Sequence, residues 1–179
     1  MLNDNQKKQL LQLARNSIKK RLLNEAYQTP EDPAFDAECG AFVTLHLKGR
    51  LRGCIGYVQA FKSIRDTIQQ MALAAAFEDP RFPPLQRQEL PHIRIEISLL
   101  SPLILVQDLN EITIGRDGLL LKHPYSSGLL LPQVATQWGW DRDTFLKEVS
   151  RKAGLHSSAY RDAGAKLYRF SAEVFGENE

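Results

Sequence analysis

Ile93, Ile95, Ile97 and Leu99 alternate with Arg94, Glu96 and Ser98, and this stretch restricts the fold of the chain more tightly than any other. A period of two puts four large aliphatic side chains on one face of a strand and polar ones on the other. Such a strand is stable only inside a sheet whose apolar face is covered by a second layer. Neighbouring strands are supplied by Gly40 to Leu47 and Arg50 to Val58, which flank Lys48-Gly49 as a hairpin turn. The cover is supplied by a helix that Ser63 caps and that runs to about Phe77, with Ile64, Ile68, Met71, Leu73 and Ala75 as apolar positions. Ala72, Ala74, Ala75 and Ala76 let that helix approach closely.

The remaining elements follow from the same signals. Asp4 to Ala26 reads as a helix with Leu10, Leu13, Ala14, Ile18 and Leu22 at helical spacing. Asp79-Pro80-Arg81-Phe82-Pro83-Pro84 is a stiff, pre-ordered loop that ends the Ser63 helix. Pro102 interrupts the alternating strand, and short strands are expected at Leu103 to Val106, Ile112 to Ile114, Leu119 to Lys122 and Ser127 to Leu131. Asp141 caps a helix from Arg142 to Lys152, closed by Gly154, and Ala165 to Phe175 is the last strand. Trp138 and Trp140 read as core anchors near Asp141. This order predicts an α+β fold with a largely antiparallel sheet and flanking helices, not a doubly wound nucleotide fold. No phosphate-binding glycine pattern is present.

Composition narrows the function classes. With 179 residues, 43% apolar and 25% charged, the chain has the make-up of one globular domain, 1–179. A net charge of +2 makes nucleic acid an unlikely partner, and Lys7, Lys8, Lys19, Lys20 and Arg21 read as a solvated helix face. No run approaches the roughly 18 apolar residues of a membrane span, and Met1 to Gln12 carries no apolar signal region, so a cytoplasmic protein is expected. His46, His92, His123 and His156 show no ligand spacing, and no CxxC occurs, so no metal site is predicted. In a hairpin, Cys39 falls about four residues along the ladder from the partner of Cys54, beyond disulfide reach at roughly 3.3 Å per residue. Two free thiols are expected.

The chemistry concentrates in Leu51-Arg52-Gly53-Cys54-Ile55-Gly56. In a regular strand Arg52, Cys54 and Gly56 share a face, and a guanidinium beside a thiol lowers its pKa from about 8.5. Gly53 and Gly56 leave an open approach for a ligand. The ordinary alternative is a buried structural cysteine in a glycine-kinked strand. Register decides what faces the sulfur. A two-residue turn sets Val43 opposite Cys54, whereas a three-residue turn sets Thr44 there and brings His46 near Arg52.

Several motifs carry a family resemblance. They are Cys39-Gly40-Ala41-Phe42-Val43-Thr44-Leu45, the Leu51 to Gly56 hexapeptide, Asp79 to Pro84, Glu96-Ile97-Ser98 with Ser101-Pro102, Gly118-Leu119, Leu131-Pro132-Gln133-Val134 and Lys152-Ala153-Gly154-Leu155. With these, the chain resembles the AMMECR family, named after the Alport syndrome, midface hypoplasia and elliptocytosis chromosomal region, from about Leu10 to Phe175. The resemblance implies an α+β fold with a major part and a smaller second part in one chain. It implies no settled activity and no known cofactor. It suggests Memo-like and radical S-adenosylmethionine proteins as partners. Carried onto this sequence, it singles out Cys54 and Glu96, which in an enzyme would be a candidate nucleophile and a candidate acid or base. Arg52, Gly53, Gly56, Asp79, Arg81, Gln133 and Lys152 are then candidate lining groups for a substrate. Each has a structural alternative: Asp79 capping its loop, Arg81 and Glu96 forming a buried ion pair, and Lys152 serving a helix C-terminus. Two functions fit: a cysteine-dependent enzyme or enzyme subunit, or a non-catalytic binding or adaptor module using the same glycine-lined groove.

Overall fold

The computed structural model describes residues 2–177. Among the described residues it contains four α-helices, α1 (Asp4–Leu23), α2 (Ile64–Phe77), α3 (Pro132–Gln137) and α4 (Arg142–Lys152). Its strands are β1 (Ala41–Leu47), β2 (Arg50–Tyr57), β3 (Ile93–Leu100), β4 (Ile104–Leu105), β5 (Asp117–Lys122), β6 (Ser127–Leu130) and β7 (Lys166–Gly176). The pairings β1–β2, β1–β3, β4–β7, β5–β6 and β5–β7 are antiparallel, so the fold is α+β as predicted. The chain forms two compact units. One comprises the residues up to Leu100 together with those from Glu173, and the other is Ser101–Ala172.

In the first unit β1 lies between β2 and β3, and the end of β7 runs beside β3, with Glu177 N–H donating to Ile95 O at 3.0 Å. The alternating strand does what its pattern demands: Ile93, Ile95 and Ile97 are at most 1% exposed. They share one core with Val43 and Leu45 of β1, Ile68 and Met71 of α2, and Leu10, Leu13 and Ile18 of α1. Helix α1 begins at Asn3, whose side chain accepts from Gln6 N–H in a reciprocal capping box. It ends three residues earlier than its apolar spacing suggests, because Asn24 turns left-handed (φ 58°) and its N–H closes onto Lys20 O.

The second unit is built on β5, paired with β6 on one side and β7 on the other, with β4 along β7. Phe145, Leu146 and Val149 of α4 join Leu119, Leu121 and Leu130 in its core. Gly128 permits the contact, since a Cβ there would lie 2.5 Å from Ala153 N. Two expectations fail here. Residues 112–114 form no strand, because Asp117 folds the chain back by accepting Thr113 N–H (2.8 Å) while its own N–H bonds Thr113 O (3.0 Å). Trp138 is no core anchor: it is 71% exposed and stacks on Trp140 with ring centres 6.3 Å apart.

Candidate functional site

Register at the β1–β2 hairpin decides the geometry. Lys48 and Gly49 both adopt positive φ (51° and 73°), the two-residue turn that matches strand twist, and Leu47 pairs with Arg50. A bulge then intervenes. His46 pairs with Leu51 but Leu45 pairs with Gly53, leaving Arg52 as the extra residue. The two-residue turn is therefore present, yet Thr44 rather than Val43 faces Cys54. Glu96 pairs with Thr44 from the other side, giving a row Cys54–Thr44–Glu96 across three strands.

The β2 strand is an edge, and edges need their outward N–H and C=O groups covered. The 79–84 loop does this. Cys54 N–H donates to Asp79 Oδ2 at 2.9 Å, and Arg81 Nη2 donates to Cys54 O at 3.3 Å. With both main-chain groups of Cys54 pointing outward, Thr44 and Cys54 form the close, non-hydrogen-bonded type of pair. Their side chains meet accordingly, with Thr44 Oγ1 donating to Cys54 Sγ at 3.2 Å.

The clasp is preorganised. Asp79 Oδ1 accepts from Arg81 N (3.1 Å) and Nε (3.0 Å), and Oδ2 accepts Nη2 (2.7 Å), a bidentate pair across Pro80. The Arg81 fork, first, and the main-chain donors hold the Asp79 carboxyl well below the usual aspartate range despite burial. Phe82 lies beneath two guanidiniums, 6.0 Å from Arg52 and 5.5 Å from Arg81. Asp79 does cap its loop, as one reading of the sequence had it, but the ion pair of Arg81 is with Asp79 and not with Glu96.

Three expectations about the hexapeptide are overturned. Arg52 does not serve the thiol: its Nε and Nη2 bind the Glu89 carboxylate at 2.8 and 3.0 Å. The Cys54 thiol is not lowered. Burial pushes its pKa up, outweighing the Thr44 hydrogen bond and the Arg81 charge, with Asp79 and Glu96 adding to the rise. Nor do the glycines line an open approach. A Cβ on Gly53 would sit 2.0 Å from the Ala75 carbonyl of α2, and one on Gly56 would sit 2.3 Å from the Phe42 ring. At both positions the missing side chain serves close packing.

Asp79, Arg81, Cys54, Thr44 and Glu96 are thus brought together in the first unit. Gln133, on α3, and Lys152, exposed in the last turn of α4, belong to the second. Sequence reasoning missed Glu89, the partner of Arg52, and Phe82, because neither role follows from local spacing. Both cysteines are free, as expected. Among the described residues no group of three His, Cys, Asp or Glu side chains is disposed to hold a metal ion, and no helix is long and apolar enough to cross a membrane.

The chain is similar to known proteins over most of its length. A protein of Methanothermobacter thermautotrophicus is 40% identical over 94% of this chain and 93% of its own. One from Thermococcus kodakarensis is 39% identical over 94% of this chain and 88% of its own. The crystal structure of an uncharacterized protein from Pyrococcus horikoshii superposes with a TM-score of 0.92 at 36% identity, covering 99% of this chain and 94% of that one. The AMMECR1 family model matches residues 11–175, and the chain belongs to that family.

Proposed function

We propose that this protein is a non-catalytic binding or adaptor module, whose hexapeptide forms the clasped edge of a docking face rather than presenting a nucleophile. Cys54 carries the reading. Its thiol is pushed toward the protonated form, and its N–H and C=O are both taken by the Asp79–Arg81 clasp. A cysteine nucleophile needs a thiolate and an open approach, and the surroundings of Cys54 favour neither. The chemistry left for a partner is the outer half of Arg81, whose side chain is 50% exposed, and Glu96 at the end of the row. Charged groups so placed select a partner by complementarity. The Memo-like and radical S-adenosylmethionine proteins that the resemblance suggests are the first partners to test, and the two unpaired cysteines support the cytoplasm as the place of work.

Calorimetric titration of a purified Memo-like protein into the wild type and the variants Cys54→Ser, Arg81→Ala and Glu96→Gln tests this. Cys54→Ser should keep the affinity within about threefold, while Arg81→Ala weakens it at least about tenfold, as loss of an interface arginine does. Glu96→Gln, which leaves the clasp intact, should weaken it as well. If native Cys54 alkylates as fast as a free thiol, or if its serine variant loses a measurable turnover, the cysteine-dependent enzyme with Glu96 as acid or base is the correct reading.

A further inference from the structure

Two imidazoles converge on one carboxylate in the second unit. His123 Nε2 and His156 Nε2 lie 3.0 and 2.8 Å from the same Asp162 oxygen, Oδ2. The partners fix where the protons sit. The Asp162 carboxyl is held below the usual aspartate range, first by the His123 hydrogen bond, so it is ionised and only accepts. Each neutral imidazole therefore carries its proton on Nε2 and its lone pair on Nδ1. At His123, whose side chain is 5% exposed, Tyr125 N–H donates to that lone pair (3.3 Å). At His156, 58% exposed, the lone pair faces Ser158 Oγ at 3.1 Å, and the hydroxyl donates to it. Ser158 precedes the short 3₁₀ turn Ala159–Arg161 in the capping position, yet its side chain makes no cap hydrogen bond. The hydroxyl is given to His156 instead. The frame around it is anchored: Ala159 is fully buried, Tyr160 N–H donates to Ser150 Oγ (3.2 Å), and Leu155 N–H donates to Ser150 O (3.1 Å).

We propose that Ser158 is a nucleophilic modification site that accepts the acyl group of an activated carboxylic ester. A hydroxyl bound to an imidazole whose other nitrogen is held by a carboxylate has the arrangement that makes a serine nucleophilic. The carboxylate fixes the tautomer and offsets the charge that the ring gains. In the step, Ser158 Oγ bonds to the carbonyl carbon, the bond from that carbon to the leaving oxygen breaks, and the leaving group departs with the electron pair. The hydroxyl proton passes to His156 Nδ1 and from there to water. The product is an ester on an exposed residue of the second unit. One acylation changes that surface without turnover, and it does not depend on the docking face around Cys54.

The test treats the full-length protein with p-nitrophenyl acetate, follows nitrophenolate release and locates the acetyl group by peptide mass spectrometry. Ser158 should be acetylated at least about tenfold faster than the adjacent Ser157, which has no imidazole partner among the described residues. His156→Gln should slow acetylation of Ser158 at least about tenfold. A positioned general base supplies roughly 10²–10⁴-fold, and the open site lowers that. Ser158→Ala should abolish the fast phase of nitrophenolate release. Both positions are exposed, so folding is not at stake, and equal thermal midpoints check it. The inference is overturned if Ser158 is acetylated no faster than Ser157, if His156→Gln leaves the rate unchanged, or if Ser158→Ala keeps the fast phase.

Discussion

Asp79→Asn is the sharpest probe of the clasp, because it removes a charge without changing shape. Asp79 is 4% exposed and accepts four hydrogen bonds, from Cys54 N, Arg81 N, Arg81 Nε and Arg81 Nη2, at 2.7 to 3.1 Å. A carboxamide has one acceptor oxygen. If that oxygen replaces Oδ1, the NH₂ group meets Cys54 N–H and Arg81 Nη2. If it replaces Oδ2, the NH₂ group meets Arg81 N–H and Nε. Either way two of the four bonds become donor-against-donor contacts. Hydrogen bonds to a charged group contribute about 1.5–3 kcal/mol each, and the low end applies because Arg81 is half exposed to water. The loss is then about 3 kcal/mol, or about 6–12 °C in midpoint for a chain of this size. Calorimetric unfolding reads the global effect. Mass-spectrometric alkylation of Cys54 reads the local one, and should accelerate at least about tenfold as the edge opens, whereas Cys39 should be unaffected. A midpoint within about 2 °C of the wild type, with unchanged Cys54 protection, would refute the clasp as a stabilising device.

The same geometry makes further predictions. Gly53→Ala should cost about 2–3 kcal/mol in denaturant unfolding, since its Cβ meets the Ala75 carbonyl at 2.0 Å and α2 must shift to admit it. Asp79 has a folded pKa below its unfolded one, so its contribution to stability is complete above about pH 5 and declines as pH falls through about 4 toward the folded value. An unfolding series from pH 6 to pH 3 should accordingly slope less in Asp79→Asn than in the wild type, and parallel curves would contradict the assignment. Trp138→Ser, at an exposed ring, should change the midpoint by no more than about 2 °C, since surface substitutions away from special features stay within about 0.5 kcal/mol.

Much of the fold was legible because its signals are local. The alternation at Ile93 to Leu99, the left-handed pair Lys48-Gly49, and the caps Ser63 and Asp141 each describe a backbone conformation that neighbouring residues impose. Helix α4 begins and ends where Asp141 and Lys152 indicate, and Gly154 takes the positive φ (75°) expected of a residue just past a helix end. Where a side chain captures the main chain against strand preference, the reading fails. Residues 112–114 have the composition of a strand, but the Asp117 carboxylate captures Thr113 N–H and turns the chain. The segment Leu131 to Val134 contributes a short helix, α3, because Pro132 at its first turn starts it without a side-chain cap.

At the site, the sequence alone determined that β1 and β2 form a hairpin about Lys48-Gly49, and it left the register open between a two-residue and a three-residue turn. What the hexapeptide does was decided by tertiary structure. A single bulged residue, Arg52, exchanged Val43 for Thr44 opposite the sulfur, and no pattern within the hairpin announces it. The partner of Cys54 N–H is Asp79, twenty-five positions away, and that of Arg52 is Glu89, thirty-seven away. The thiol pKa depends on how completely Thr44 of β1, Glu96 of β3 and the 79–84 loop surround it, which is a property of packing and not of neighbouring letters. Local sequence sets the strand, its turn and its caps, since those energies act over a few residues. Desolvation and edge coverage act through space, so they exist only once the chain has closed around Cys54.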